Sequence, residues 1–313
     1  MGIKVIDTHC DVLLKLAEDP TKRFEHDQHI QANLQNLQAG HVRVQFFAIF
    51  IDPDIKQESK FQQALVQVQA FYEKVIKPHP QMKHIKKWED IQTLQDGEIG
   101  AILALEGLDA IGNDETKLSI LYQLGVLSVG VTWNDANLCA DGVGEERGAG
   151  LTRLGKRMIV KNDQENIITD VSHLSEKGFW DVLELTDKVI ASHSNAKKIC
   201  PHPRNLSDEQ IKAIVQKGGF IGIVLYPIFI TGTNHATVHD LVRHLEHFCK
   251  LGASKHIGIG SDFDGIFTFI DGIDSSSKFL DLFDQLEAYF SEDFIKGLTE
   301  ENFLSYLKRH HLS

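Results

Sequence analysis

His9 and Asp11 stand two residues apart in Val5-Ile6-Asp7-Thr8-His9-Cys10-Asp11. Ile3, Val5 and Ile6 favour extended backbone, and no helical pattern precedes them. Side chains alternate along a strand, so His9 and Asp11 point one way and Cys10 the other. An imidazole beside a carboxylate at a strand's end is half of a site for a borderline divalent cation. A lone H-x-D is more often a partly buried histidine with a turn aspartate, so the downstream chain must decide.

Similar groups stop the later apolar runs. Ala101–Leu105 leads into Glu106-Gly107, and another run ends in Asp170-Val171-Ser172-His173. A third ends in Ala191-Ser192-His193-Ser194-Asn195, and a fourth in Gly260-Ser261-Asp262-Phe263-Asp264-Gly265. Two ions suit this inventory better than one: His9, Asp11, His173 and His193 give two ligands to each, and Glu106 bridges through its two oxygens. Ions about 3.5–4 Å apart can activate a bridging hydroxide and polarise a carbonyl together. His235, His239, His244 and His247 fall on a helical pattern without H-E-x-x-H, and read as solvated helix positions.

The elements that must carry these groups alternate between short apolar runs and longer amphipathic stretches. The runs are Ile3–Thr8, Val42–Phe50, Ile99–Leu105, Val126–Thr132, Asn166–Val171, Lys188–Ser192, Gly219–Tyr226 and His256–Gly260. Helical patterns cover Lys56–Lys77, Asp114–Leu124, Ser175–Leu185, Ser207–Lys217 and Thr237–Lys250, with Ser175 and Ser207 as caps. Runs that are apolar nearly throughout suit parallel strands buried on both faces. Eight of them alternating with helices predict an α/β fold, a (β/α)8 TIM-type barrel, over an open doubly wound sheet. No G-x-G-x-x-G or Walker-type loop follows the first run. The ligand candidates then share one rim, at the C-terminal ends of the strands. Asn134–Gly150 reads as a mobile loop over that mouth, and Ser291–Leu312 as a closing C-terminal helix pair with Thr299 as a cap. Residues 1–313 form a single domain in this reading.

The formal charge of −12 argues against nucleic acid or an anionic membrane as main partner. Four cysteines, Cys10, Cys139, Cys200 and Cys249, lack C-x-x-C spacing and point to a reducing compartment. No signal peptide and no run of membrane-spanning length are evident, and Ile6 stands where N-myristoylation wants Ser or Thr. The expectation is a cytoplasmic soluble protein.

The ordered set of motifs resembles the membrane-type (renal-type) dipeptidases, binuclear zinc enzymes on an amidohydrolase-like barrel. It is carried by Ile6-Asp7-Thr8-His9-Cys10-Asp11, Leu105-Glu106-Gly107, Leu121-Tyr122-Gln123-Leu124-Gly125, Gly150-Leu151-Thr152 with Gly155, Asp170-Val171-Ser172-His173, Ser192-His193-Ser194, Arg204-Asn205 and Gly260 to Gly265. The resemblance implies two Zn2+ per chain, one held by His9, Asp11 and Glu106, the other by Glu106, His173 and His193. It places Asp262 near the substrate amine and the scissile nitrogen, and Arg204 on the substrate's C-terminal carboxylate, a task suited to a planar bidentate fork. Two departures stand out. Trp133, in Val131-Thr132-Trp133-Asn134, occupies the place of a histidine that stabilises the oxyanion in mammalian members, so the Trp133 indole or the Asn134 amide is expected to share that role. Phe229, with Tyr226 nearby, stands where the family can use a tyrosine on the carboxylate.

The implied reaction is hydrolysis of a dipeptide amide by metal-activated hydroxide, with Asp262 relaying the proton to the departing nitrogen. L-Xaa-D-Xaa substrates such as L-Xaa-D-Ala are the favoured guess, and a homodimer is compatible with it. Two rivals remain: a metal-dependent phosphoesterase on a similar barrel, and a catalytically inactive relative that binds dipeptides.

Overall fold

Nine short parallel strands carry the chain, and eight of them close on each other. The computed structural model describes residues 2–312. The strands are β1 (Val5–Asp7), β2 (Val42–Phe50), β3 (Met82–His84), β4 (Ile99–Glu106), β5 (Val126–Gly130), β6 (Ile168–Asp170), β7 (Val189–Ala191), β8 (Phe220–Ile223) and β9 (Ile257–Ile259). Their order is β2-β1-β9-β8-β7-β6-β5-β4, and β2 pairs with β4 to complete the ring. This is the expected TIM-type barrel. The run at Val42–Phe50 (VRVQFFAIF) is buried or half-buried throughout, as a strand covered on both faces must be.

The sequence pattern missed β3. It lies outside the ring and pairs only with the first half of β4, while β5 takes the second half of the same edge. Three residues, Met82-Lys83-His84, with one buried apolar side chain, leave almost no pattern to read. Six of the eight barrel strands are also shorter than their apolar runs, while β2 matches its run and β4 exceeds it by one residue. Val224 and Leu225 stay buried beyond the end of β8, so burial outlasts ladder pairing at the rim.

The surrounding helices begin where the caps predict. Ser175 accepts from the Gly178 amide, and Ser207 forms a capping box with Gln210. The segment after Lys56 is helical over Gln57–Ala70 and widens into a π-helical turn over Phe71–Ile76. The C-terminal helices are present as Glu292–Lys296 and Asn302–Arg309. Thr299 does not cap the second; it sits in the π-helical turn Gly297–Glu301 that joins them.

Two further expectations need correction. Asn134–Gly150 is irregular but tied down rather than mobile. Asn137 Oδ1 accepts from the amides of Cys139 and Ala140, and its Nδ2 donates to Val131 O at 2.8 Å. Asp141 accepts from Arg147 Nε at 2.8 Å and from the Ala149 amide at 2.7 Å. Asx side chains thus satisfy backbone groups that no ladder reaches. His244 is not solvated but fully buried: Nδ1 accepts from the Ala196 amide and Nε2 donates to Ile230 O.

The rim is braced by polar groups from distant strands. Buried Asp7 accepts from the His9 amide and from both the amide and hydroxyl of Ser261, locking the end of β1 to the end of β9. The Thr8 hydroxyl reaches Ser192 O at 2.7 Å and Ile259 O at 3.0 Å. Gly222 and Gly260 admit this packing: a Cβ on either would lie 1.9 or 1.8 Å from Ser192 O.

Candidate metal centre

His9 and Asp11 follow β1, Glu106 ends β4, His173 follows β6 and His193 follows β7, so one mouth collects them all. His9 Nε2 lies 3.4 Å from Asp11 Oδ2 and 3.6 Å from Glu106 Oε2. The other oxygen of Glu106, Oε1, lies 2.9 Å from His173 Nε2 and 3.9 Å from His193 Nε2. One carboxylate therefore faces two donor sets, His9 with Asp11 and His173 with His193. Potential ligand atoms within 4.8 Å of one another form the triads His9–Asp11–Glu106, Glu106–His173–His193 and His9–His193–Asp262. Asp262 joins this cluster, its Oδ1 3.8 Å from His9 Nε2.

Holding these groups strains the backbone. His173 and Asp262 both adopt left-handed conformations, with φ of 66° and 65°. For a residue with a Cβ this costs on the order of 1–2 kcal/mol each, so neighbours must hold it in place. The Val143 amide grips His173 O at 2.7 Å, and the Asp262 amide donates to His9 O at 3.2 Å. The tied-down loop thus holds a ligand residue in its strained form.

The carboxylates of this cluster favour positive charge beside them. Burial opposes charge on His9, but Glu106 and Asp11 outweigh it and push the imidazole up to about 10. Burial pushes the Glu106 carboxyl well above its ordinary range, and burial with Asp11 nearby raises Asp262 to about 7. Burial and the Arg204 charge push His173 well below the ordinary histidine value; burial, His9 and Arg204 do the same to His193.

The donor set fits a cation on a second ground. His173 Nδ1 faces Asn134 Oδ1 at 2.9 Å, and His193 Nδ1 faces Ser192 Oγ at 2.8 Å. In the tautomer that directs each Nδ1 proton at its oxygen, both Nε2 atoms, 2.8 Å apart, present lone pairs. His9 Nε2 is buried without a hydrogen-bond partner. Lone pairs crowded in this way repel unless a positive ion lies among them.

The other predicted residues pack beside His173 and Arg204. Arg204 is buried, its guanidinium donates to His193 O at 3.2 Å, and Phe229 packs 5.5 Å beneath it. Its Nε has no partner, and burial lowers the guanidinium to about 10. Beside it opens a cavity of about 210 Å³, lined by His173, Ser194, Lys197, Arg204 and Gln210 among others. Tyr226 packs 5.1 Å from Phe229, and burial together with the charge of Asp262 raises its hydroxyl. Trp133 stacks edge-on against Phe50 at 5.4 Å, with the His173 ring 5.9 Å away. A larger cavity of about 350 Å³ lies at the opposite end of the barrel, around Lys4, His41 and Arg43, away from these groups.

Sequence reasoning missed what stands behind His193: Ser192 contacts its ring and Asp170 accepts from Ser192. Asn134, expected as an oxyanion donor, turns its side-chain oxygen to His173. The only available signal was Asp170 itself, a charged residue closing an apolar run.

A parallel barrel with buried histidines and carboxylates gathered at its C-terminal mouth defines a metal-dependent barrel hydrolase. The chain matches the family described as membrane dipeptidase (peptidase family M19) over residues 1–311, and it belongs to that family of metallo-dipeptidases. A solved metallopeptidase from Rhodobacter sphaeroides, bound to a phosphinate mimic of the dipeptide L-Ala-D-Ala, superposes with a TM-score of 0.93 at 27% identity, covering 99% of this chain and 100% of that one. A second solved M19 metallopeptidase, dipeptidase AC, superposes with a TM-score of 0.93 at 27% identity over 100% of both chains. An uncharacterised dipeptidase of Schizosaccharomyces pombe is 29% identical over 307 residues, 89% of this chain and 73% of the relative.

Proposed function

We propose that this metallo-dipeptidase uses two zinc ions to cleave dipeptides, including L-Xaa-D-Xaa forms such as L-Xaa-D-Ala. The observation carrying this reading is Glu106, whose two oxygens face separate donor sets. His9, Asp11 and Glu106 would hold one ion, and Glu106, His173 and His193 the other. Such a pair supplies a nucleophile from water near neutral pH and polarises the scissile carbonyl.

The rest falls to the chain's own residues. Arg204, backed by Phe229, grips the substrate's C-terminal carboxylate, with Tyr226 beside it. Burial at the rim makes this ion pair strong enough to fix the substrate's register. Asp262 holds the free α-amine and passes a proton to the departing nitrogen. Trp133 Nε1 donates to the carbonyl oxygen as charge develops there, and Asn134 keeps the His173 ring oriented. Recognition of both free ends limits the substrate to two residues. The L,D preference is supported by the L-Ala-D-Ala mimic in the Rhodobacter sphaeroides relative.

Cys10, Cys139, Cys200 and Cys249 are all free, which suits the cytoplasm as the working compartment. No helix among the described residues is long and apolar enough to cross a membrane. Turnover of a panel of L,L and L,D dipeptides, beside p-nitrophenyl phosphate, tests the reading. Release of free amino acids with no phosphatase activity supports it. Phosphate release alone would assign the barrel to phosphoester chemistry, and tight dipeptide binding without product would make it a binder.

A further inference from the structure

The two histidines of the Glu106–His173–His193 set are backed differently. Behind His173 stands a neutral amide, Asn134. Behind His193 stands a hydroxyl that itself leans on a charge: Ser192 Oγ donates to Asp170 Oδ2. Register creates this arrangement. Asp170 at the end of β6 pairs with Ile190 on β7, which brings residue 192 alongside the carboxylate.

Asp170 is surrounded by donors. Its Oδ1 accepts the amides of Ser172 at 2.9 Å and Ser192 at 3.0 Å, and its Oδ2 takes the Ser192 hydroxyl. Three donors converging on one buried carboxylate fix it as an acceptor. The single proton of Ser192 is thereby committed, so toward His193 Nδ1, 2.8 Å away, Ser192 Oγ can only accept. Ser172 Oγ accepts the His193 amide at 3.3 Å and lies 3.4 Å from Ser192 Oγ, but the closer carboxylate oxygen of Asp170 is the stronger acceptor for the Ser192 proton. Asp170, Ser172, Ser192 and His193 are all buried, away from water that could reset the direction.

We propose that Asp170 is a positioning residue: acting through Ser192, it fixes the ring proton of His193 on Nδ1 and keeps Nε2 bare for a metal cation. This rests on the reading that Glu106, His173 and His193 hold an ion. A carboxylate behind a metal-binding histidine is a general device for fixing its tautomer; here a serine is interposed.

The sharpest test is Asp170→Asn, which keeps the shape and reverses the polarity. The amides of Ser172 and Ser192 still need an acceptor, so the Asn oxygen stays with them and its NH2 turns to Ser192 Oγ. The Ser192 hydroxyl then turns to its nearer acceptor, His193 Nδ1 at 2.8 Å rather than Ser172 Oγ at 3.4 Å, and the ring proton moves to Nε2. Long-range 1H–15N spectra of metal-free, histidine-labelled protein read this directly. Wild type should show His193 protonated on Nδ1, and Asp170→Asn on Nε2. In zinc titrations the second ion should bind about 10–100-fold more weakly in Asp170→Asn, with the first little changed. Ser192→Ala, which deletes the acceptor, should lose at least about tenfold. A His193 proton that stays on Nδ1 in Asp170→Asn overturns the proposal, as does wild-type zinc affinity in both variants. Because the tautomer is read without metal, it stands or falls independently of the dipeptidase reading; wild-type protein that bound no zinc would instead remove the metal site.

Discussion

His173 and His193 bring their Nε2 atoms to 2.8 Å, with each Nδ1 turned to an oxygen, Asn134 Oδ1 or Ser192 Oγ. Two neutral rings that aim lone pairs at each other in a buried mouth form an arrangement built for a cation. Several measurable consequences follow from that geometry and the residues around it.

Asp262→Asn should retain its metals and lose turnover. The side chain lies 3.8 Å from His9 Nε2, but both carboxylate-bridged donor sets are complete without it. Loss of a proton-relaying group lowers kcat by roughly 10²–10⁴-fold. Metal content by mass spectrometry together with dipeptide turnover checks this, and unchanged kcat would remove Asp262 from the chemistry.

Arg204→Lys should act chiefly on binding. Lysine keeps a charge but loses the planar fork and the stacking on Phe229. KM should rise at least about tenfold, with kcat changing much less, as for an interaction made equally in ground and transition states. Steady-state kinetics on one dipeptide suffice, and an unchanged KM would place the substrate carboxylate elsewhere.

Trp133→Phe tests the oxyanion donor. The ring's packing against Phe50 survives the change while the indole N–H is lost. If that N–H donates to the developing oxyanion, kcat/KM should fall by more than about tenfold, since a donor of this kind is worth roughly 10²–10³ in rate. A ratio within about threefold of wild type would leave this mouth without a donor from Trp133.

Acid should destabilise the chain through His244. Burial, chiefly, lowers its pKa to about 4 from an ordinary 6.5. Between those values the unfolded chain binds a proton that the folded chain refuses, so stability is full above pH 6.5 and declines toward pH 4. The decline attributable to this residue is on the order of 3 kcal/mol. Chemical denaturation of metal-free wild type and His244→Gln at pH 7 and pH 4.5 checks it. The gap between the two should narrow in acid, and a constant gap would contradict the assignment.

The barrel and its ligands were legible because both are written locally. Apolar runs mark strands buried on two faces, and the candidate ligands, at the ends of four of the eight runs, are placed on one rim by the fold alone. What escaped reading depends on partners far apart in sequence. Ser192 and Asp170 become a pair only through the β6–β7 register, and His244 became a core residue because Ala196 and Ile230 offered it partners. The Asn134–Gly150 loop looked free because its Gly, Asp and Asn content resembles a solvated segment. Those same Asx side chains are what pin it.

The central claim, that Glu106 joins two ions, is tested most directly by counting zinc. Wild-type protein should bind two ions per chain in a titration followed by metal analysis, whereas Glu106→Gln should bind fewer and lose turnover by a thousandfold or more, on the order of what removing metal-derived stabilisation costs. Wild-type protein that turns over dipeptides with no bound metal, or Glu106→Gln that holds two ions as tightly as wild type, would contradict it.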